Sequence, residues 1–135
     1  MKKKILVLCI LLCTLVLEIL PYGAVCNFAN PEGPPHRATY SYFSMIPYGY
    51  ANFAPLITAM LTCVLILVVI IAFIFKKELG ARTAFLTGIA SLISLCPMLT
   101  GIDDYSIVGA LISLSLIAAT VVISLREKSE TPSAE

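Results

Sequence analysis

Apolar residues in this chain gather into four long runs separated by short polar or turn-forming stretches. The runs cover residues 5–20, 53–75, 83–99 and 106–125. A helix needs about 20 apolar residues to cross the hydrocarbon core of a bilayer, so the pattern predicts four transmembrane helices. The second run is the strongest, with residues 64–71 wholly aliphatic, and the first is the shortest. Thr87, Gly88, Ser91 and Ser94 dilute the third.

Between the first two runs lies the one long polar segment, 21–52. Residues 24–29 and 37–44 show the alternation and aromatic content of strands, and 30–35 is dense in residues that fix or permit turn dihedrals. A two-stranded hairpin is marginal alone, so this one is expected to lie on the helix ends. The expected fold class is therefore an all-α membrane protein of four transmembrane helices, with a small extracytoplasmic β-hairpin between helices 1 and 2. One membrane domain would span 1–125, followed by a polar, disordered tail at 126–135.

Charge orients this frame. Of nine basic residues, Lys2, Lys3, Lys4, Lys76, Lys77, Arg82, Arg126 and Lys128 flank the runs on alternating turns, and only Arg37 falls on the other side. Basic residues concentrate in cytoplasmic loops, so both termini are expected in the cytoplasm. The setting expected is a bacterial plasma membrane. The first run also has the shape of a secretory signal, whose removal would leave three spans and an outer N-terminus. Cleavage after Ala24 would place bulky Tyr22 at the −3 position, and Val25 suits a lipoprotein site at Cys26 poorly, so the first span is expected to stay uncleaved.

Composition removes most activities. The chain has 135 residues, 59% hydrophobic and 13% charged, with a net charge of +1 and a mean hydropathy of +0.97. No basic patch interleaved with aromatics points to nucleic acid. Of five cysteines none forms a Cys-x-x-Cys pair, so they read as small hydrophobes, with a Cys26–Cys96 bridge conceivable on the outer side. One histidine, His36, in a Pro-rich turn makes neither metal site nor catalytic triad. No enzyme, metal or cofactor is expected.

Three groups of residues carry what specificity remains. Arg37, Tyr40, Tyr42, Phe43, Tyr48 and Tyr50 form a candidate interaction surface in the outer loop, the tyrosines also serving as a headgroup-level belt with Tyr22 and Tyr105. Glu18 is the one charged residue within a run; near its exit it is expected to reach water or Arg37, and in the alternative reading it is a transport residue. Gly88 and Ser91 on the third run, with Gly109 and Ser113 on the fourth, are expected helix-packing positions, because small residues let membrane helices approach. Spans two to four would form the bundle, with span one beside it and the inner half of span two facing lipid. Asn52 is the expected cap of the second helix, and Asp103 or Asp104 that of the fourth. Four spans and a strand-rich first outer loop resemble claudin-like proteins in architecture alone; their Trp and paired loop cysteines are missing here. Small multidrug transporters share the length and a first-span glutamate, without a matching motif around Glu18.

The role expected is a non-enzymatic interaction or accessory subunit acting through the outer loop on a membrane-protein partner or a second copy. The alternative is a small oligomeric transporter or channel subunit; a membrane-lytic or immunity-type protein is a third possibility.

Overall fold

The computed structural model describes residues 2–49 and 52–130, and the side chains of all of these except 104 and 126–130. Tyr50, the side chains of Arg126 and Lys128, and the tail from 131 lie outside the described residues. The chain is mostly helical: α1 (Lys2–Ile19), β1 (Ala24–Phe28), β2 (His36–Tyr40), α2 (Met45–Gly49), α3 (Ala54–Ile74), α4 (Ala81–Thr100), a 3₁₀ turn (Ile102–Asp104) and α5 (Ile107–Glu130). By length and composition α3, α4 and the segment Ile107–Leu125 of α5 can cross a membrane. In α1 the apolar run shares its 18 residues with Lys2, Lys3, Lys4 and Glu18. The helix of α5 runs past the boundary expected at 125.

The four long helices close a ring in which α1 and α4 each touch both α3 and α5. Helix α1 is thus a full wall of the bundle, not an appendage to the other three. Its buried residues are Lys4, Val7, Leu11, Thr14 and Glu18, recurring at three- and four-residue spacing. That spacing keeps one stripe turned inward along the whole helix. Leu11 is 1% exposed and its neighbour Leu12 44%. Helix α3 buries Thr58, Thr62, Leu65, Val69 and Ala72 on its own stripe, so its inner half is packed on one face rather than turned wholly to lipid. An unbroken aliphatic run gives no contrast from which to read that face.

At one end of the bundle the Lys4 ammonium donates to the Ala72 carbonyl at 3.5 Å and approaches the Glu78 carboxylate at 3.9 Å. A cation there also meets the negative end of α3. At the other end the two strands pair antiparallel, with Ala24 opposite Tyr40 and Phe28 opposite His36. The second strand stops at Tyr40, short of the expected 44. There Ser41 breaks the ladder: its Oγ accepts the Phe43 N–H at 3.1 Å, and its carbonyl accepts the Ser44 N–H at 3.1 Å.

Both expected caps differ as well. Asn52 does not cap α3; its Nδ2 donates instead to the Val25 carbonyl at 3.5 Å. Helix α5 is capped by Ser106, whose Oγ accepts the Gly109 N–H at 2.9 Å, while Asp103 belongs to the preceding 3₁₀ turn.

Candidate functional site

Glu18 is the next-to-last residue of α1, and helical side chains lean toward the N-terminus. Its carboxylate is therefore thrown back into the bundle rather than out to water. It is 0% exposed, and the Thr62 hydroxyl donates to Oε1 at 2.8 Å. Thr62 is eight residues into α3 (54 to 62), which sets the contact roughly 12 Å along that helix. The expected hydrated or Arg37-paired glutamate is corrected by this placement: Arg37 turns away and donates from Nη2 to the Tyr105 carbonyl at 3.4 Å. Glu18 Oε2 and the Thr58 hydroxyl, both buried, have no hydrogen-bond partner among the described residues.

The carbonyl of Glu18, left over at the end of α1, accepts the backbone N–H of Tyr42 at 2.9 Å. This bond draws Tyr42 out of the belt expected from sequence and into the core, where it is 2% exposed. Its ring lies against Gly23, where an added Cβ would come within 2.8 Å of Cδ1, and its hydroxyl faces Gly109. Burial, then nearby Tyr105 and Glu18, push the Tyr42 phenol well above the usual tyrosine range. Burial also raises Tyr105, opposed by its hydrogen bond with Ser113.

More bonds fasten the hairpin to the helix ends. Ser106 Oγ donates to the Gly23 carbonyl at 2.7 Å, and Ala24 forms a β-bridge with Tyr105. The hairpin is thus a cap built into the bundle end. Arg37, Met45, Ile46 and Tyr48 stay exposed on it, and Tyr40 and Phe43 are half-buried. The Tyr48 ring meets Phe53 edge-on, with centroids 4.9 Å apart.

Below the cap, hydroxyls line the contact between α4 and α5. Ser94 Oγ donates to Ser113 Oγ at 2.9 Å, and Ser91 shares a hydrogen bond with Thr120 at 3.3 Å. Gly88 faces Thr120, whereas Gly109 faces the cap rather than α4. Most of these hydroxyls also bond a carbonyl of their own helix, which satisfies them without water. On α1, Thr14 joins the same scheme, its hydroxyl 2.8 Å from that of Ser115.

Two cavities open on these contacts. One, of about 510 Å³, lies between the hairpin and the ends of α3 and α4, and Cys26 and Cys96 both line it without a disulfide between them. The other, of about 420 Å³, is an apolar groove along α4 and α5 over Gly88, Ser91 and Thr120. Among the described residues no three His, Cys, Asp or Glu side chains gather as metal ligands.

Sequence reasoning missed Gly23, Thr58, Thr62 and Ser106 as partners of this end of the bundle. The available signal was the pair of glycines at the Tyr42 seat, Gly23 beside the ring and Gly109 beside its hydroxyl. No family model matches the chain, and neither the curated proteins nor the solved structures show one similar to it.

Proposed function

We propose that this chain is a four-span protein of the plasma membrane, both termini cytoplasmic, acting as a non-enzymatic interaction or accessory subunit through its outer cap. The heptad-spaced buried stripe of α1 supports a retained first span, because removing α1 would strip one wall from the bundle. Alternation of Lys2–Lys4, Lys76, Lys77 and Arg82 with the outer turns supports the orientation.

The observation that carries the role is the fastening of the hairpin. Bonds from Tyr42 to Glu18, Ser106 to Gly23 and Arg37 to Tyr105 hold it against the helix ends, with Met45, Ile46 and Tyr48 left exposed. A preorganised surface loses little ordering entropy on binding. Affinity purification from native membranes in mild detergent tests the reading. A stoichiometric partner is expected, lost from a Met45→Ser, Ile46→Ser, Tyr48→Ala variant that still inserts. Retention of the partner by that variant counts against the cap.

A second reading, a small oligomeric transporter or channel subunit, is favoured by one observation: the buried Glu18 carboxylate with an unpaired oxygen. Solute flux in liposomes that falls in Glu18→Gln supports it, and absence of flux opposes it.

A further inference from the structure

Two buried oxygens, one on α1 and one on α3, have no partner among the described residues. Glu18 is fully buried; Thr62 serves its Oε1, and its Oε2 has no partner. Thr58, one turn from Thr62 on the same buried stripe of α3, is fully buried too, and its Oγ1 has no partner. A bundle that only needed packing would place a methyl group at either position. Buried polar groups left unpaired are rare in native proteins and point to something that pairs them.

Among the described residues no fixed positive charge faces this carboxylate. On α1 the nearest described cation is Lys4, fourteen residues away (18 to 4) and engaged by Ala72 and Glu78 at the opposite end. Helix α3 offers Cys63 and the cap offers Tyr42, with Tyr105 beside Tyr42, all acids. Residues 107–125 of α5 contain no charged side chain, Arg82 begins α4 at the Lys4 end, and Arg37 is turned to Tyr105. A carboxylate in so dry a place is costly without a compensating cation.

We propose that Glu18, Thr58 and Thr62 form a binding site for one small hard cation, a proton or Na⁺. One carboxylate and two hydroxyls are oxygen donors of the kind such cations prefer, and together they neutralise a single charge. Thr62 already aims the carboxylate, and Glu18 Oε2 with Thr58 Oγ1 supply the open positions. The site goes beyond the accessory role, since occupancy does not require that the bundle conduct.

The experiment is thermal unfolding of the purified full chain in detergent, followed by circular dichroism. In one arm NaCl replaces choline chloride at fixed ionic strength and pH; in the other pH rises from mildly acid to mildly alkaline without Na⁺. A melting temperature raised by several degrees by Na⁺ identifies Na⁺. One that falls as pH rises, and is indifferent to Na⁺, identifies the proton. Glu18→Gln, which keeps shape and hydrogen bonding, is expected to flatten the response, and Thr58→Val to weaken it. Should Glu18→Gln fail to fold, infrared spectroscopy of the wild type and Thr58→Val reads the buried carboxyl band directly, which must move with the same cation and shift in the variant. A wild type indifferent in both arms, a Glu18→Gln response equal to the wild type, or a carboxyl band unmoved by either cation overturns the site.

Discussion

The backbone N–H of Tyr42 donates to the Glu18 carbonyl at 2.9 Å, so a residue in the last turn of the first helix also seats the loop aromatic buried in the bundle end. Glu18 thereby faces two ways, its carboxylate toward Thr62 and its carbonyl toward the cap. Cap and bundle are one unit at this point.

The side-chain half of that relationship is measurable by a double-mutant cycle. Thr62→Val leaves Glu18 Oε1 without its donor and is expected to destabilise the protein by about 1–3 kcal/mol. Added to Glu18→Leu, the same change is expected to cost less. The coupling should be about 0.5–2 kcal/mol, the range of hydrogen bonds between membrane helices. Additive effects in reversible unfolding would mean the pair is not coupled.

Membership of α1 in the bundle predicts a contrast between adjacent leucines. Leu11→Ala opens a cavity in a packed stripe and is expected to cost about 2–5 kcal/mol. Leu12→Ala removes a side chain from the outer face and is expected to change stability by less than about 0.5 kcal/mol. Equal effects on the unfolding midpoint would place α1 outside the core.

The seat of Tyr42 depends on two glycines. A Cβ at Gly23 would sit 2.8 Å from the ring and one at Gly109 would sit 3.2 Å from the Gly23 carbonyl, whereas Gly49 has open space around it. Gly23→Ala and Gly109→Ala are each expected to destabilise by about 1–3 kcal/mol through forced displacement, with Gly49→Ala near neutral as the control. A melting curve for Gly23→Ala that overlays the wild type would remove Tyr42 from the account.

Alkaline titration gives a fourth test. Tyr42 is held neutral by burial, so its folded ionisation lies above that of the unfolded chain, near 10 for tyrosine. The stability it contributes is present below about pH 10 and is lost as pH rises above that value. Tyrosinate absorbance should therefore contain a component that appears only as the fold opens and is missing from Tyr42→Phe. A component that ionises reversibly in the folded protein would show the ring to be wet.

The frame of helices was legible because run length, turn residues and the placement of lysines all agree. Four details escaped for separate physical reasons. The stripe from Lys4 to Glu18 has regular spacing, but the apolar residues between its members hide it. Glu18 looked interfacial because its position in the chain was read without the N-terminal lean of its side chain. Tyr42 looked like a belt residue because loop aromatics at membrane depth usually are; the Ser41 turn and the small residues at Gly23 and Gly109 are what redirect it. Ser106 caps α5 because its hydroxyl bridges to the Gly23 carbonyl as well as to the Gly109 N–H.

Recognition at the outer cap is the central claim, and site-directed photo-crosslinking in native membranes tests it most directly. A photoreactive residue at Tyr48, exposed on the cap, is compared with one at Leu114, exposed on the outer face of α5. The account predicts one discrete protein adduct from position 48 and none of that mass from position 114. An adduct from position 114 alone, or no protein adduct from position 48, would contradict it.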